Sequence, residues 1–214
     1  MKQQPGTRSN THLPIKTIAV LVIFASTLGL FTSAFSKKGK EVTTIHCADP
    51  TADSVASAAA FMDVYKVLMS PRCMNCHPAG DIPLQGDDSH LHTMYPRRGI
   101  DGRGVYAMKC RNCHQPTNTP GLHTPPGNPK WALPPAAMKM VFQGRSPREL
   151  ALQIADYNRN GHKSKAQLLL HARDTLVKAA WHMGEGRTPP PLTYAAFLTV
   201  WDDWIKKGAV APKP

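Results

Sequence analysis

Two short stretches hold the residues best suited to chemistry: Cys73, Cys76 and His77 in SPRCMNCHPAG, and Cys110, Cys113 and His114 in MKCRNCHQP, thirty-seven residues further on. Three chemistries use a C-x-x-C pair: a zinc knuckle, a dithiol redox couple and covalent haem attachment. Only the last employs the histidine in both copies. There the thiols add across the two haem vinyl groups, and the following imidazole is carried under the porphyrin, where it can bind iron. A zinc ribbon would join both pairs in one four-sulfur site, but 33 residues separate Cys76 from Cys110, more than the ~15–20 of that motif. A thioredoxin-like couple expects a βαβ setting, and the Pro- and Gly-rich chain around these cysteines has none. The motifs therefore predict two haem c groups, each with its iron, held by Cys73, Cys76, Cys110 and Cys113, with His77 and His114 as axial ligands.

The second ligand of each iron is less specified. His90, His92 and Met94 lie in a loop between the motifs, His123, Met138 and Met140 in the Pro-rich stretch after the second, and His171, His182 and Met183 further on. Met140 is favoured for the first iron: it lies 63 residues after His77, in a Pro-rich loop before a short helix, an arrangement that resembles the distal half of single-haem cytochrome c domains. Met138 is next. His171, with His90 and His92, is the choice for the second. Arg97, Arg98 and Arg103 suit haem propionates, since guanidinium grips a carboxylate in bidentate fashion.

Stepping outward, the elements that must place these residues are helical and short. From Asp53, DSVASAAAFMDVYKVLM sets Val55, Ala58, Ala59, Met62, Tyr65 and Met69 at helical spacing, with Pro71 as the stop, and this helix delivers Cys73. Met62 and Met69 read as core packing. Residues 78–105 show no sustained periodicity and read as loop. Seven prolines between Pro116 and Pro135 exclude helix and central strand, so Leu122, Trp131 and Leu133 must cover something, namely a haem face. Ser146, Pro147 and Glu149 form a capping box that opens a helix bearing Leu150, Ile154 and Tyr157, closed by Asn160-Gly161. Two further helices are expected over 164–182, with Leu169, Ala172, Leu176, Ala179 and Met183 on one face, and over 193–207, with Phe197, Trp201 and Trp204, ended by Gly208. Only 32 residues lie between His77 and Cys110, too few for a separate domain around each haem. The expected fold is mainly α, cytochrome c-like: short helices and Pro/Gly-rich loops of one composite domain over 53–214, wrapped around two neighbouring haems.

The N-terminus reads as an export address. Lys2, Arg8 and Lys16 precede the apolar run Ile18–Phe35, and Lys37, Lys38 and Lys40 follow it. Residues 1–36 are either a cleaved signal peptide, with Ala34 and Ser36 at the cut, or an inner-membrane anchor through 18–35, which the long n-region favours. Residues 37–52 form a polar linker, and the remainder is expected to be periplasmic. Of the formal charge of +12, six basic and no acidic residues lie within 1–40, leaving 20 Lys and Arg against 14 Asp and Glu, or +6, on the exported part. That compartment argues against nucleic acid as the partner, and a basic surface then suits an acidic redox protein. Cys47 has no free internal mate if the other four cysteines carry haem.

The pattern PRCMNCHP…GDIPLQGDDSHLH…RRGIDGRG…MKCRNCHQ…TPPGNPKWALPP…MVFQGRSPREL resembles a family of bacterial dihaem cytochromes labelled isoquinoline 1-oxidoreductase subunit, over nearly the whole exported part. The resemblance implies electron passage from a periplasmic molybdenum hydroxylase to the respiratory chain. The chain departs from that family's pattern in ending GAVAPKP without a cysteine. Two function classes follow. One is an electron carrier with two six-coordinate haems, which the abundance of His and Met favours. The other is a haem enzyme with one open iron position, a peroxidase or small-molecule oxidase.

Overall fold

The structure is a computed structural model and describes residues 51–214; the expectations for the apolar run 18–35, the linker up to residue 50 and Cys47 lie outside them. Residues 51–214 belong to one unit, and it is mainly helical. Helix α1, Ala52–Leu68, opens where the Thr51 hydroxyl accepts from the Ser54 N–H, satisfying one of the donors left over at a helix start. Ser70 and Pro71 then begin the single turn α2, Pro71–Met74, which carries Cys73. Helices α3 (Pro147–Ala155), α4 (Lys165–His171), α5 (Thr175–Lys178) and α6 (Tyr194–Lys206) follow the second motif.

Local chemistry accounts for the helix ends. The capping box of α3 is present in both directions, Ser146 with Glu149, and Ser164 with Gln167 repeats it at α4. At the far end of α6, Gly208 at φ +119° lets its own N–H reach the Ile205 carbonyl at 3.3 Å and the Ala209 N–H reach that of Trp204 at 2.8 Å, the paired bonds of a glycine-closed helix. The helix expected over 164–182 is instead broken. Asp174 turns its carboxylate onto the Leu176 N–H and starts α5 afresh, because an Asp can cap a new helix as readily as it continues an old one.

The core lies between α1 and α6. Phe61 and Trp204 meet at 4.6 Å between ring centres, the Ser57 hydroxyl donates to the Trp204 carbonyl at 2.9 Å, and Trp201 Nε1 donates to the Leu168 carbonyl at 3.1 Å, tying α6 to α4. The buried face of α1 is Ser57, Phe61, Val64, Val67 and Leu68, one position off the expected stripe: Val55 and Met62 are exposed. An Ala-rich helix has little apolar contrast around its circumference, so the large ring of Phe61 decides which side faces inward. Of the α3 stripe, Leu150 and Ile154 are buried, whereas Tyr157 lies beyond the helix end and is exposed.

The connecting loops hold two small ladders where none was expected. Strand β1 (Leu84–Gln85) pairs antiparallel with β2 (His90–Leu91), and β3 (Gly104–Val105) with β4 (Met108–Lys109). Two-residue strands leave no period to detect in the sequence. From Pro116 to Pro135 there is neither α-helix nor strand.

Candidate functional site

His77 and His114 sit in two cradles built to the same plan. His77 follows the α2 turn, and its Nδ1 is 2.7 Å from the Met140 carbonyl. Phe142 lies flat on the imidazole, 3.8 Å between centres and 5° between planes, and its backbone N–H donates to the His77 carbonyl at 2.9 Å. His114 Nδ1 is 2.7 Å from the Pro126 carbonyl, and Trp131 stacks on that ring at 4.1 Å and 9°. A carbonyl can only accept, so Nδ1 is the protonated nitrogen in each neutral ring, and Nε2 keeps its lone pair. A carbonyl behind a ligand histidine fixes tautomer and orientation and raises its basicity toward a metal. The aromatic plate prevents the ring from turning.

Backbone strain serves the first cradle. Met140 has φ +48°, a conformation that non-glycine residues rarely adopt and that is held only where surrounding contacts enforce it. Its carbonyl is thereby turned onto His77. In the second cradle, Asn128 N–H donates to the Gln115 carbonyl at 3.0 Å, and the neighbouring Gly127 passes so close to the Thr117 and Gln115 carbonyls that no β-carbon fits.

In front of the first cradle lies a cavity of about 500 Å³ whose walls include Cys73, Cys76, His77, Trp131, His171 and Phe197, a size suited to a large organic cofactor. Burial, more than any other effect, pushes the Cys73 thiol up to about 12 and the Cys76 thiol up to about 11. Such thiols are poor redox nucleophiles. Burial likewise holds His77 down at about 4, with the Met140 carbonyl opposing and the charges of His171 and Arg98 adding. His171 lines the same cavity as His77. It closes the last turn of α4, and desolvation first, then the Lys163 ammonium, lower its own proton affinity.

The remaining expected ligands divide clearly. His92 lies 6.3 Å from His114 between ring centres, with planes at 69°, and the only hydrogen bond to its ring among the described residues is a long one, 3.4 Å from the Met94 N–H to Nδ1. His90 is engaged elsewhere, 2.6 Å from Asp88. Met140 lines the cavity, but its carbonyl bonds to the His77 nitrogen opposite Nε2, so its backbone stands behind the ring and not in front of it. Met138 and Met183 are on the cavity wall. Met94, His123 and His182 are exposed. Leu133 and Trp131 line the cavity as expected of covers, whereas Leu122 is 67% exposed and lies away from it.

Of the three arginines assigned to propionates, Arg97 and Arg103 are exposed, but Arg98 is 1% exposed and bonds to backbone carbonyls. Arg72, adjoining Cys73 and buried at 5%, was not singled out from the sequence. Its Nη2 bonds to the Gly86 carbonyl at 3.1 Å and to Asp87. The Phe142 plate was missed as well; the one signal for it is an aromatic residue two positions after Met140.

Among the described residues no group of three or more His, Cys, Asp or Glu side chains converges as a metal site, so the two C-x-x-C pairs do not close into a zinc cluster. No described helix is long and apolar enough to cross a membrane. Comparison with protein-family models, with curated proteins and with solved structures gave no match.

Proposed function

We propose that the protein is a dihaem c-type cytochrome that passes single electrons in the periplasm. The observation that carries this reading is the paired cradle: each histidine of a C-x-x-C-H motif donates Nδ1–H to a carbonyl, is plated by an aromatic ring, and presents Nε2 as a free lone pair. A dithiol couple has no use for that preparation, whereas a metal-bound imidazole does; against zinc stands the separation of the two C-x-x-C pairs, which do not converge among the described residues. The donor set fits: two thiols per site for the tethers, a neutral imidazole for iron, and, at the first motif, an apolar cavity for the ring.

Haem bound there would supply a one-electron couple, while the protein holds and tunes it. Cys73 and Cys76 would tether the first group and Cys110 and Cys113 the second. His77 and His114 would be the proximal ligands. For the distal positions we favour His171 at the first site, in place of Met140, whose backbone backs His77, and His92 at the second. The His92 and His114 ring centres are 6.3 Å apart, so that both imidazoles would be available to hold one metal ion. The whole would then be a cytochrome c-like fold, with the first group in the interior cavity and the second nearer the surface, where Cys113 is exposed. The resemblance to the isoquinoline 1-oxidoreductase subunit family supplies the partner class, a molybdenum hydroxylase feeding the respiratory chain, and the apolar run 18–35 supplies export or anchoring.

Intact-mass spectrometry of protein exported with a haem-attachment system tests this directly. Two haem additions are expected, with a low-spin spectrum that cyanide and carbon monoxide leave unchanged at neutral pH. Zero additions, or bound zinc, would end the proposal; rapid ligand binding with peroxide turnover would move the protein to the haem-enzyme class.

A further inference from the structure

Arg98 is the most deeply buried charge in the described chain, and it stands where the two motifs meet. Only 1% of it is exposed. Its backbone N–H donates to the Asp81 carbonyl at 2.7 Å, and its own carbonyl accepts from the Gly104 N–H at 2.9 Å. Asp81 is four residues past His77, and Gly104 begins β3, whose ladder with β4 leads straight into Cys110. The guanidinium bonds forward with Nη2 to the Gly80 carbonyl at 3.1 Å and with Nη1 to the Pro134 carbonyl at 2.6 Å. Pro134 lines the cavity of the first motif; Arg98 itself does not. The guanidinium therefore stands behind Pro134, off the cavity wall.

Its charge is only partly answered. Nε has no hydrogen-bond partner. The one nearby carboxylate, Asp81, is 3.6 Å from it, is half exposed, and is shared with Lys139 at 2.8 Å. Two cations and one carboxylate leave a surplus positive charge, and in a poorly solvated interior such a charge acts over a longer range than at the surface. The guanidinium is thus anchored at Gly80, three residues past His77, while the Arg98 carbonyl holds Gly104, six residues before Cys110.

We propose that Arg98 is a positioning residue shared by the two haem sites, a sealed cation that favours electron uptake at both irons. The inference rests on the dihaem reading. A haem held at each site would exchange one electron with the redox protein partner of the dihaem reading. No bond or proton changes at Arg98. A fixed positive charge lowers the free energy of the form holding the extra electron, and net charge and burial are among the levers by which a protein sets such potentials.

Spectroelectrochemical titration of the holoprotein tests this with three variants. Arg98→Gln should lower both midpoints, each by roughly three- to tenfold in the ferric/ferrous ratio, tenfold being 59 mV for one electron. Arg98→Lys, which keeps the charge, should stay within about twofold of the parent. Asp81→Asn, which removes the partial counter-charge at a half-exposed position, should raise both midpoints. Retention of two covalent haems by mass and of the low-spin spectrum shows that the Arg98 variants compare like with like. A shift at one haem only, no shift, or equal losses for the Gln and Lys variants would overturn the proposal. If neither Arg98 variant yields holoprotein, unchanged midpoints in Asp81→Asn would overturn it. Absence of two haem additions in the parent would fail the dihaem reading itself, which is a separate result.

Discussion

At the scale of single residues, the two histidines are set apart by what stands behind them. His77 Nδ1 has the Met140 carbonyl at 2.7 Å and His114 Nδ1 the Pro126 carbonyl at 2.7 Å, so replacing either imidazole removes both the ligand proposed for iron and the ring that its plate packs on. His77→Ala and His114→Ala should each abolish the low-spin signature of one haem and spare the other, measured by magnetic circular dichroism. Met140 and His171 separate in the same experiment. Met140→Leu keeps the carbonyl and should leave the ferric spectrum unchanged. His171→Met should raise the potential of the first haem and introduce the near-infrared band of thioether ligation, because thioether favours the ferrous state more than imidazole does. The reverse pattern would restore Met140 as the ligand. Phe142 is 6% exposed, and Phe142→Ala should cost about 3–5 kcal/mol of stability, as truncation of a buried ring does; chemical denaturation of the holoprotein measures it.

At the scale of elements, α1 and α6 form the frame, and Ser57 is their polar rivet. Its hydroxyl donates to the Trp204 carbonyl at 2.9 Å and accepts from the Val210 N–H at 3.0 Å. Ser57→Ala leaves the half-buried Val210 N–H without its partner, while the Trp204 carbonyl keeps its bond from the Ala209 N–H, and a loss of about 1 kcal/mol is expected. A second joint is Asp202 on α6, which takes two 3.0 Å hydrogen bonds from Arg173, just past α4, and one from Lys206. Burial works against its charged form, but those bonds outweigh burial and hold the carboxyl below the usual aspartate range. A depressed folded-state value means that the pair stabilises the fold above the ordinary aspartate pKa of ~4 and that this contribution is lost as pH falls through the lower folded value. Arg173 is 41% exposed and screened by solvent, so Asp202→Asn should cost about 1 kcal/mol at neutral pH and nothing once the parent carboxyl is protonated. Thermal melts of both proteins from neutral to strongly acidic pH would show the two curves converging; a constant gap would assign the loss to packing.

For the whole molecule the governing quantity is charge. Residues 41–214 carry 20 Lys and Arg against 14 Asp and Glu, or +6, and under the proposed carrier role such a chain meeting an acidic docking patch would be steered over roughly a Debye length, ~8 Å at physiological salt. Reduction by a molybdenum hydroxylase, followed by stopped flow, should therefore slow as ionic strength rises, with the intramolecular step between the two haems unaffected. Rates independent of salt would remove steering from the account.

What could be read from the residues in order is what local chemistry decides. A capping box acts over three positions, so Ser146 and Glu149 announced α3 by themselves, as Gly208 announced the end of α6. The spacing within each C-x-x-C-H motif likewise lies inside one turn of chain. Proline excludes regular structure wherever it clusters, hence the absence of helix and strand between Pro116 and Pro135. Tertiary structure decided the rest, because each undecided contact joins residues far apart in sequence. The carbonyl behind His77 comes from 63 residues away, and nothing in the pattern around Met140 distinguishes a residue that lends its carbonyl from one that lends its sulfur. The inward face of α1 was settled by Trp204 meeting Phe61, since alanines surround the helix on all sides. Arg72 and Arg98 look like solvated loop charges in a basic sequence. Arg98 is held by the Gly80 and Pro134 carbonyls and Arg72 by the Gly86 carbonyl and Asp87, partners that come together only once the chain has folded.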